Sequence, residues 1–76
     1  IQVNIYPNPA AGFFVVALAG TKSFNIVVTN IAGSNIYERN NIIGETKINT
    51  QDFSKGIYYL KAYSGNTIFR KKIIII

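Results

Sequence analysis

Apolar and polar residues alternate along most of this chain, with the period of two that side chains have in a half-buried β-strand. Ile1, Val3 and Ile5 alternate with polar neighbours, and residues 23–29 show the same pattern most clearly. Residues 13–18 are apolar throughout, which is typical of a strand covered on both sides or lying at an interface. Because no stretch has a helical period, the chain is predicted to consist of strands.

Turn-forming residues divide this pattern into seven short segments. The predicted strands cover residues 1–6, 13–18, 23–29, 34–39, 45–49, 56–63 and 67–76. We expect Ile36 to face inward, and Asn40 and Asn41 to open a loop. Hairpin turns favour antiparallel neighbours, and no connection is long enough for a parallel crossover. The predicted fold is therefore an all-β, immunoglobulin-like antiparallel β-sandwich of about seven strands.

Both prolines and two of the six glycines mark predicted turns. Pro7 and Pro9 fix φ and remove two backbone donors, so no regular strand runs through them and a stiff, extended corner is expected. We expect Gly33 to take positive φ in a tight turn, and Gly56 to do so at the end of the turn at residues 52–56. In that turn Phe53 is expected to plug the core and Asp52 to bond nearby amides.

Length and composition indicate one small domain, residues 1–76. A chain of this size buries roughly 60% of the surface that its unfolded form exposes. Cysteine is absent, so stability rests on apolar burial. The chain begins with Ile1 and has neither a signal peptide nor an apolar run of membrane-spanning length. We therefore expect a domain cut from a longer protein, without membrane insertion.

Charge and reactive groups narrow the possible functions. The net charge is +5, yet only Arg70, Lys71 and Lys72 are clustered, so a solubility role ranks above nucleic-acid binding. Histidine and cysteine are absent, which excludes the Ser-His and Cys-His pairs of nucleophilic catalysis. The three acidic residues are dispersed near turns and strand ends. No catalytic residue, metal site or cofactor is predicted.

Two surface features invite a binding function. Tyr59 and Tyr63 flank Lys61 on one face of a strand and form a candidate platform for a sugar, although exposed aromatics are ordinary in strands. The first interpretation of the basic triplet is that it flanks the apolar last strand of the sandwich and keeps it from aggregating. The alternative is that a partner protein recognises this terminus by strand addition.

Four elements of the chain together resemble the C-terminal sorting domain of the type IX secretion system of Bacteroidetes. Residues 5–12 are similar to its YPNPxxG opening, residues 28–33 to its glycine hairpin, and residues 48–60 to its Gly-x-Tyr element. The basic, apolar end is similar to the family's tail. Asn30 stands where aspartate is commoner, and the chain stops at Ile76 where many members have a further lysine.

The resemblance implies a non-catalytic secretion signal. A cargo domain on the N-terminal side would reach the periplasm through its own export signal. The outer-membrane translocon and its shuttle protein would then recognise the folded sorting domain. A sortase-like surface peptidase would usually remove it, leaving the cargo at the cell surface or secreted.

The resemblance also assigns roles to residues. The residues expected to be recognised by the translocon are Arg70, Lys71, Lys72, Ile73, Ile74, Ile75 and Ile76. The residues expected to determine the fold are Tyr6, Pro7, Asn8, Pro9, Gly12, Gly33, Gly56 and Tyr58. The alternative function is an immunoglobulin-like accessory module of a secreted enzyme that binds carbohydrate through Tyr59 and Tyr63.

Overall fold

The computed structural model describes residues 3–20 and 22–76, and within these ranges the chain forms seven strands and no helix. The strands are β1 (Val3–Tyr6), β2 (Phe13–Leu18), β3 (Phe24–Asn30), β4 (Asn35–Ile42), β5 (Glu45–Asn49), β6 (Gly56–Ser64) and β7 (Thr67–Ile75). The strand predicted at residues 45–49 is confirmed as β5. The predicted start at Ile1 lies outside the described residues. None of the described residues belongs to a helix able to cross a membrane.

The strands pair into two sheets that pack face to face. One sheet has three strands in the order β1-β2-β5, and the other has four in the order β4-β3-β6-β7. All neighbouring strands are antiparallel. The largest fully buried side chains are Phe14, Phe24, Ile26, Ile48, Leu60, Ile73, Val16 and Val28. Each contributes about 1.5–3 kcal/mol on burial, and the predicted β-sandwich is confirmed.

The predicted loop at Asn40 and Asn41 is wrong, because β4 continues through both residues to Ile42. They form a bulge, since two residues of β4 stand opposite one residue of β3. Asn41 has a φ of 58°, which asparagine tolerates better than most residues. Its N–H donates to the Asn25 Oδ1 at 2.9 Å. The side chain of Asn25 thus replaces the ladder bond that the bulge interrupts.

The predicted inward orientation of Ile36 is also wrong. Tyr37 pairs with Val28 and Asn35 pairs with Thr29, so Ile36 is the unpaired residue of a second irregularity in β4. The extra residue shifts the alternation of inward and outward side chains by one position. Tyr37 therefore packs against the core, and Ile36 is 40% exposed.

The turn between β3 and β4 has the predicted chemistry. The Oδ1 of Asn30 accepts hydrogen bonds from the N–H groups of Ala32 and Ser34, each at 3.0 Å. Gly33 has a φ of 87°, as the tight turn requires. Asparagine therefore supplies the acceptor that an aspartate would supply at this position.

The chain enters β6 through a tyrosine corner, in which a tyrosine hydroxyl bonds back to the backbone a few residues upstream. The Tyr58 hydroxyl donates to the Ser54 carbonyl oxygen at 2.7 Å. The ring of Phe53 lies 5.5 Å from that of Tyr58, and Phe53 packs against the core as predicted. The turn-stabilising bond expected of Asp52 comes instead from Asn49, whose Oδ1 accepts from the Gln51 N–H at 2.9 Å.

Candidate functional site

The segment from Pro7 to Ala10, here called the proline corner, crosses from the three-stranded sheet to the four-stranded sheet and lies beside β7. After Tyr6 the chain leaves the three-stranded sheet, and Ala10 forms a parallel bridge with Ile75. The Ala10 N–H donates to the Ile74 carbonyl oxygen at 2.7 Å, and the Ile76 N–H donates to the Ala10 carbonyl oxygen at 2.9 Å. The proline-rich opening motif and the C-terminal tail are therefore in direct contact.

Asn8 extends this pairing with its side chain. Its Nδ2 donates to the Lys72 carbonyl oxygen at 3.0 Å, and its Oδ1 accepts from the Ile74 N–H at 3.1 Å. Pro7 and Pro9 have no N–H, so the backbone of this segment offers few donors to a neighbouring strand. The carboxamide of Asn8 supplies one donor and one acceptor in their place.

The corner thereby closes the C-terminal half of the β7 edge. Nothing in the sequence pattern singles out Ala10, yet it is fully buried against the end of β7. Within the tail, Ile73 and Ile75 are buried in the core, and Ile74 is partly buried. Ile76 is 62% exposed. The four isoleucines therefore do not form one continuous exposed strip in the folded domain.

Three further residues of the sequence motifs, Gly33, Gly56 and Tyr58, lie at the same end of the sandwich as the end of the tail. Gly56 is paired with Ile75, and Tyr58 is paired with Ile73. Gly33 is in the adjacent β3–β4 turn, whose Asn30 stands beside Tyr58 in the β3–β6 ladder. The structure thus brings the glycine turns, the tyrosine corner and the tail together around one end of β6 and β7.

Tyr6 ends β1 of the three-stranded sheet, and Gly12 immediately precedes β2 of the same sheet. Gly12 has a φ of 88°, and its carbonyl oxygen accepts from the Thr50 N–H at 2.9 Å. Tyr6 stands opposite Val15 at the end of the β1–β2 ladder and is about half exposed. Neither residue is hydrogen-bonded to β7 within residues 3–20 and 22–76.

The three cations that precede the isoleucines are exposed and divide between two faces of β7. Arg70 stands directly opposite Lys61 of β6, and Lys72 stands opposite Tyr59. Lys71, at the alternate position, lines a gap of about 200 Å³ between β7 and β1, together with Ile5. The edge of the four-stranded sheet is therefore cationic on both sides.

The tyrosines considered for sugar binding share the outer face of the four-stranded sheet, as predicted. Tyr59 is 48% exposed and borders a shallow groove of about 340 Å³. The Lys61 Nζ lies 5.3 Å from the centre of the Tyr63 ring, within the range of a cation–π contact. Of the two rings, Tyr59 is the more accessible, since Tyr63 is partly buried and is contacted by Lys61.

Potential metal ligands do not cluster in the part of the chain that the structure describes. No group of three or more histidine, cysteine, aspartate or glutamate side chains lies close enough to hold an ion. The candidate site is the surface formed by the terminal strand β7, its flanking cations and the proline corner, which is hydrogen-bonded to it.

Comparison with known proteins places this geometry in context. The family model described as "Secretion system C-terminal sorting domain" matches residues 4–76. No curated protein sequence gives a significant match. Among solved structures, the chain is similar to PorZ of Porphyromonas gingivalis, described as an essential surface component of the type-IX secretion system, with a TM-score of 0.82 and 20% identity. The match covers 97% of this chain and 11% of that chain, so it establishes the fold alone.

Proposed function

Because this chain belongs to the family of type IX secretion C-terminal sorting domains, we propose that it directs a cargo protein to the outer-membrane translocon for export. Residues 1–76 are then the C-terminal domain of a longer secreted protein. The cargo domain precedes β1, passes through the periplasm, and ends at the cell surface or in the medium. The translocon and its shuttle protein bind the sorting domain, and a sortase-like surface peptidase removes it after export.

One observation carries the proposal: the family match extends over residues 4–76 and includes both the proline corner and the tail. The structure adds a physical reason for the two to occur together. Asn8 and Ala10 hold the backbone of the tail at Lys72, Ile74 and Ile76. The signal is therefore a folded unit, and the order of its tail depends on its opening motif.

The part of the tail available to a partner is set by burial. Arg70, Lys71, Lys72 and Ile76 are exposed, whereas the two buried isoleucines anchor the strand. Recognition of the folded domain therefore relies on the cations and on Ile76. The role needs affinity for a partner and no catalytic group on this chain.

The proposal predicts that cargo export depends on the tail cations. Replacing Lys71 and Lys72 by alanine should strongly reduce export of the parent protein, because two exposed charges are lost from the recognised strand. The melting temperature of the domain should change little, since surface substitutions of this kind shift stability by at most about 0.5 kcal/mol. Export is measured as the fraction of cargo outside the cell, and stability by circular dichroism.

The matched control removes the same charge elsewhere. Lys22 and Lys55 are exposed and lie outside β7, so their double replacement by alanine should leave export unchanged. Equal export of both double variants would show that the tail cations are not recognised. Equal loss in both would point to net charge in place of a tail-specific contact.

A further inference from the structure

The edge of β7 is divided into a closed half and an open half. Lys72 and Ile74 direct their free backbone groups away from β6, as their bonds to Asn8 and Ala10 show. Backbone groups alternate in direction along an antiparallel strand. Ile68 and Arg70 have the same parity, so their N–H and C=O groups also point away from β6. No residue that the structure describes is bonded to them there.

The side chains beside this open half carry unbalanced positive charge. Arg70 faces Lys61 across the β6–β7 ladder, and like charges in directly opposed positions destabilise a sheet. Across the sheet from Lys61, the next residue is Val27 of β3, and the one after it is Glu38 of β4. Glu38 carries the nearest carboxylate in this row of paired residues. Three strand spacings, about 14 Å, separate Glu38 from Arg70. The fold itself therefore leaves Lys61 and Arg70 without a neighbouring anion.

We propose that the open half of the β7 edge, residues 67–71, is a strand-addition site for an extended, acidic segment of a partner protein. Its backbone pairs with Ile68 and Arg70, and its carboxylates, on alternate residues, lie on the outer surface beside Arg70. The inference rests on the proposed function, since the partner belongs to the export machinery. It assigns strand pairing to the start of the tail and leaves the closed half, from Lys72 onward, outside that pairing.

Charge complementarity selects this occupant over a second copy of the chain. Two β7 edges paired around a twofold axis would place the cations of one copy against those of the other, a device that proteins use to prevent edge-to-edge association. A strand with carboxylates on alternate residues would instead place negative charge beside the cations of β7. It also compensates the Lys61–Arg70 pair, and its backbone satisfies the open groups of Ile68 and Arg70.

The test is an NMR titration of the 76-residue chain with a synthetic decapeptide of alternating glutamate and valine. The expected result is that the Ile68 and Arg70 amide signals shift, while a lysine–valine peptide of the same length has no effect. Ile68→Pro removes one outward N–H without interrupting the bonds to β6, because proline is tolerated at such edge positions. It should weaken binding about tenfold, whereas Ile68→Ala should bind like the unmodified chain.

A charge reversal supplies a second test if Ile68→Pro proves unfolded by circular dichroism. Arg70→Glu combined with Lys72→Glu should abolish binding of the acidic peptide and create binding of the lysine–valine peptide. Three results would overturn the inference: equal binding by Ile68→Pro and Ile68→Ala, shifts confined to Ile74 and Ile76, or binding of heparin but not of the acidic peptide. Concentration-dependent shifts of the Ile68 and Arg70 amides without peptide would point to self-association and overturn it as well.

Export of a reporter separates this inference from the proposed function. If the unmodified chain and Ile68→Ala are exported and Ile68→Pro is retained, both stand. If all three are exported alike, the chain is a sorting signal whose β7 edge is not paired during recognition. If the unmodified chain is not exported, the proposed function fails, and the titration alone decides whether the edge binds acidic strands.

Discussion

The side chain of Asn8 connects residues that are more than sixty positions apart in the chain. It lies between two prolines that remove backbone donors, and its carboxamide is short, planar and able to donate and accept at once. Those properties let it imitate one residue of a paired strand. Together with the backbone of Ala10, this side chain attaches the opening motif to the terminal strand.

Replacing Asn8 by alanine should lower the free energy of unfolding by about 1–3 kcal/mol, because two hydrogen bonds to β7 are lost at about 0.5–1.5 kcal/mol each. Urea denaturation at constant slope measures the change. The amide of Ile74 should also exchange with solvent faster. Asn4→Ala, at an exposed position of β1, is the control and should leave both quantities unchanged. An Asn8→Ala variant as stable as the unmodified domain would refute this role.

Tyr58 and Tyr59 allow a comparison of the same substitution on opposite faces of β6. Tyr58→Phe removes the bond to the Ser54 carbonyl oxygen and should cost about 0.5–1.5 kcal/mol, while the ring remains packed on Phe53. Tyr59→Phe alters an exposed side chain and should have no measurable effect. Thermal melts of the two variants check this. Indistinguishable melting temperatures would mean that the tyrosine corner does not stabilise the fold.

At the scale of elements, the hairpin between β3 and β4 depends on backbone conformation more than on packing. A Cβ atom added to Gly33 would meet no atom within 4 Å beyond its two neighbours in the chain, yet the φ of Gly33 is 87°. Gly33→Val should therefore destabilise the domain through backbone strain alone, by about 1–2 kcal/mol. Gly33→Asn should retain most of the stability, because asparagine tolerates positive φ. Equal melting temperatures for the valine variant and the unmodified chain would contradict this.

The elements also show which parts of the fold follow from sequence. The boundaries of β5 are predicted correctly because its alternation of inward and outward residues is unbroken. In β4 the alternation is shifted near Asn41 and again at Ile36. The sequence pattern therefore predicts a loop at Asn40 and Asn41 where the strand continues, and an inward orientation for Ile36, which is exposed. Bulges of this kind depend on partners in the neighbouring strand, such as the side chain of Asn25.

The candidate site is less predictable than the strands. The sequence identifies the proline corner and the tail as separate unusual segments, since each has a local signature. Their contact is tertiary, and no local pattern indicates that Ala10 pairs with Ile75. That contact determines which half of the β7 edge stays open. The open half therefore cannot be predicted from the sequence alone.

At the scale of the whole molecule, the start of β1 and the end of the tail, at Ile75, lie at opposite ends. Val3 lines a small cavity with Ser64 and Thr67, beside the β6–β7 turn. Ile75 lies at the other end of β7, a strand of nine residues that spans roughly 27 Å. The longest dimension of the molecule is 32 Å. In the proposed arrangement, a cargo attached ahead of β1 lies far from the end of the tail but on the same side as Thr67, where the open half of β7 begins.

The most direct test of the sorting function is a transplant. Residues 1–76 are fused to the C-terminus of a periplasm-targeted fluorescent protein, in a host with and without a working type IX translocon. The account predicts fluorescence at the surface or in the medium only when the translocon works. Fluorescence retained in the periplasm of both strains, with the fusion intact and folded, would contradict it and favour a carbohydrate-binding accessory module.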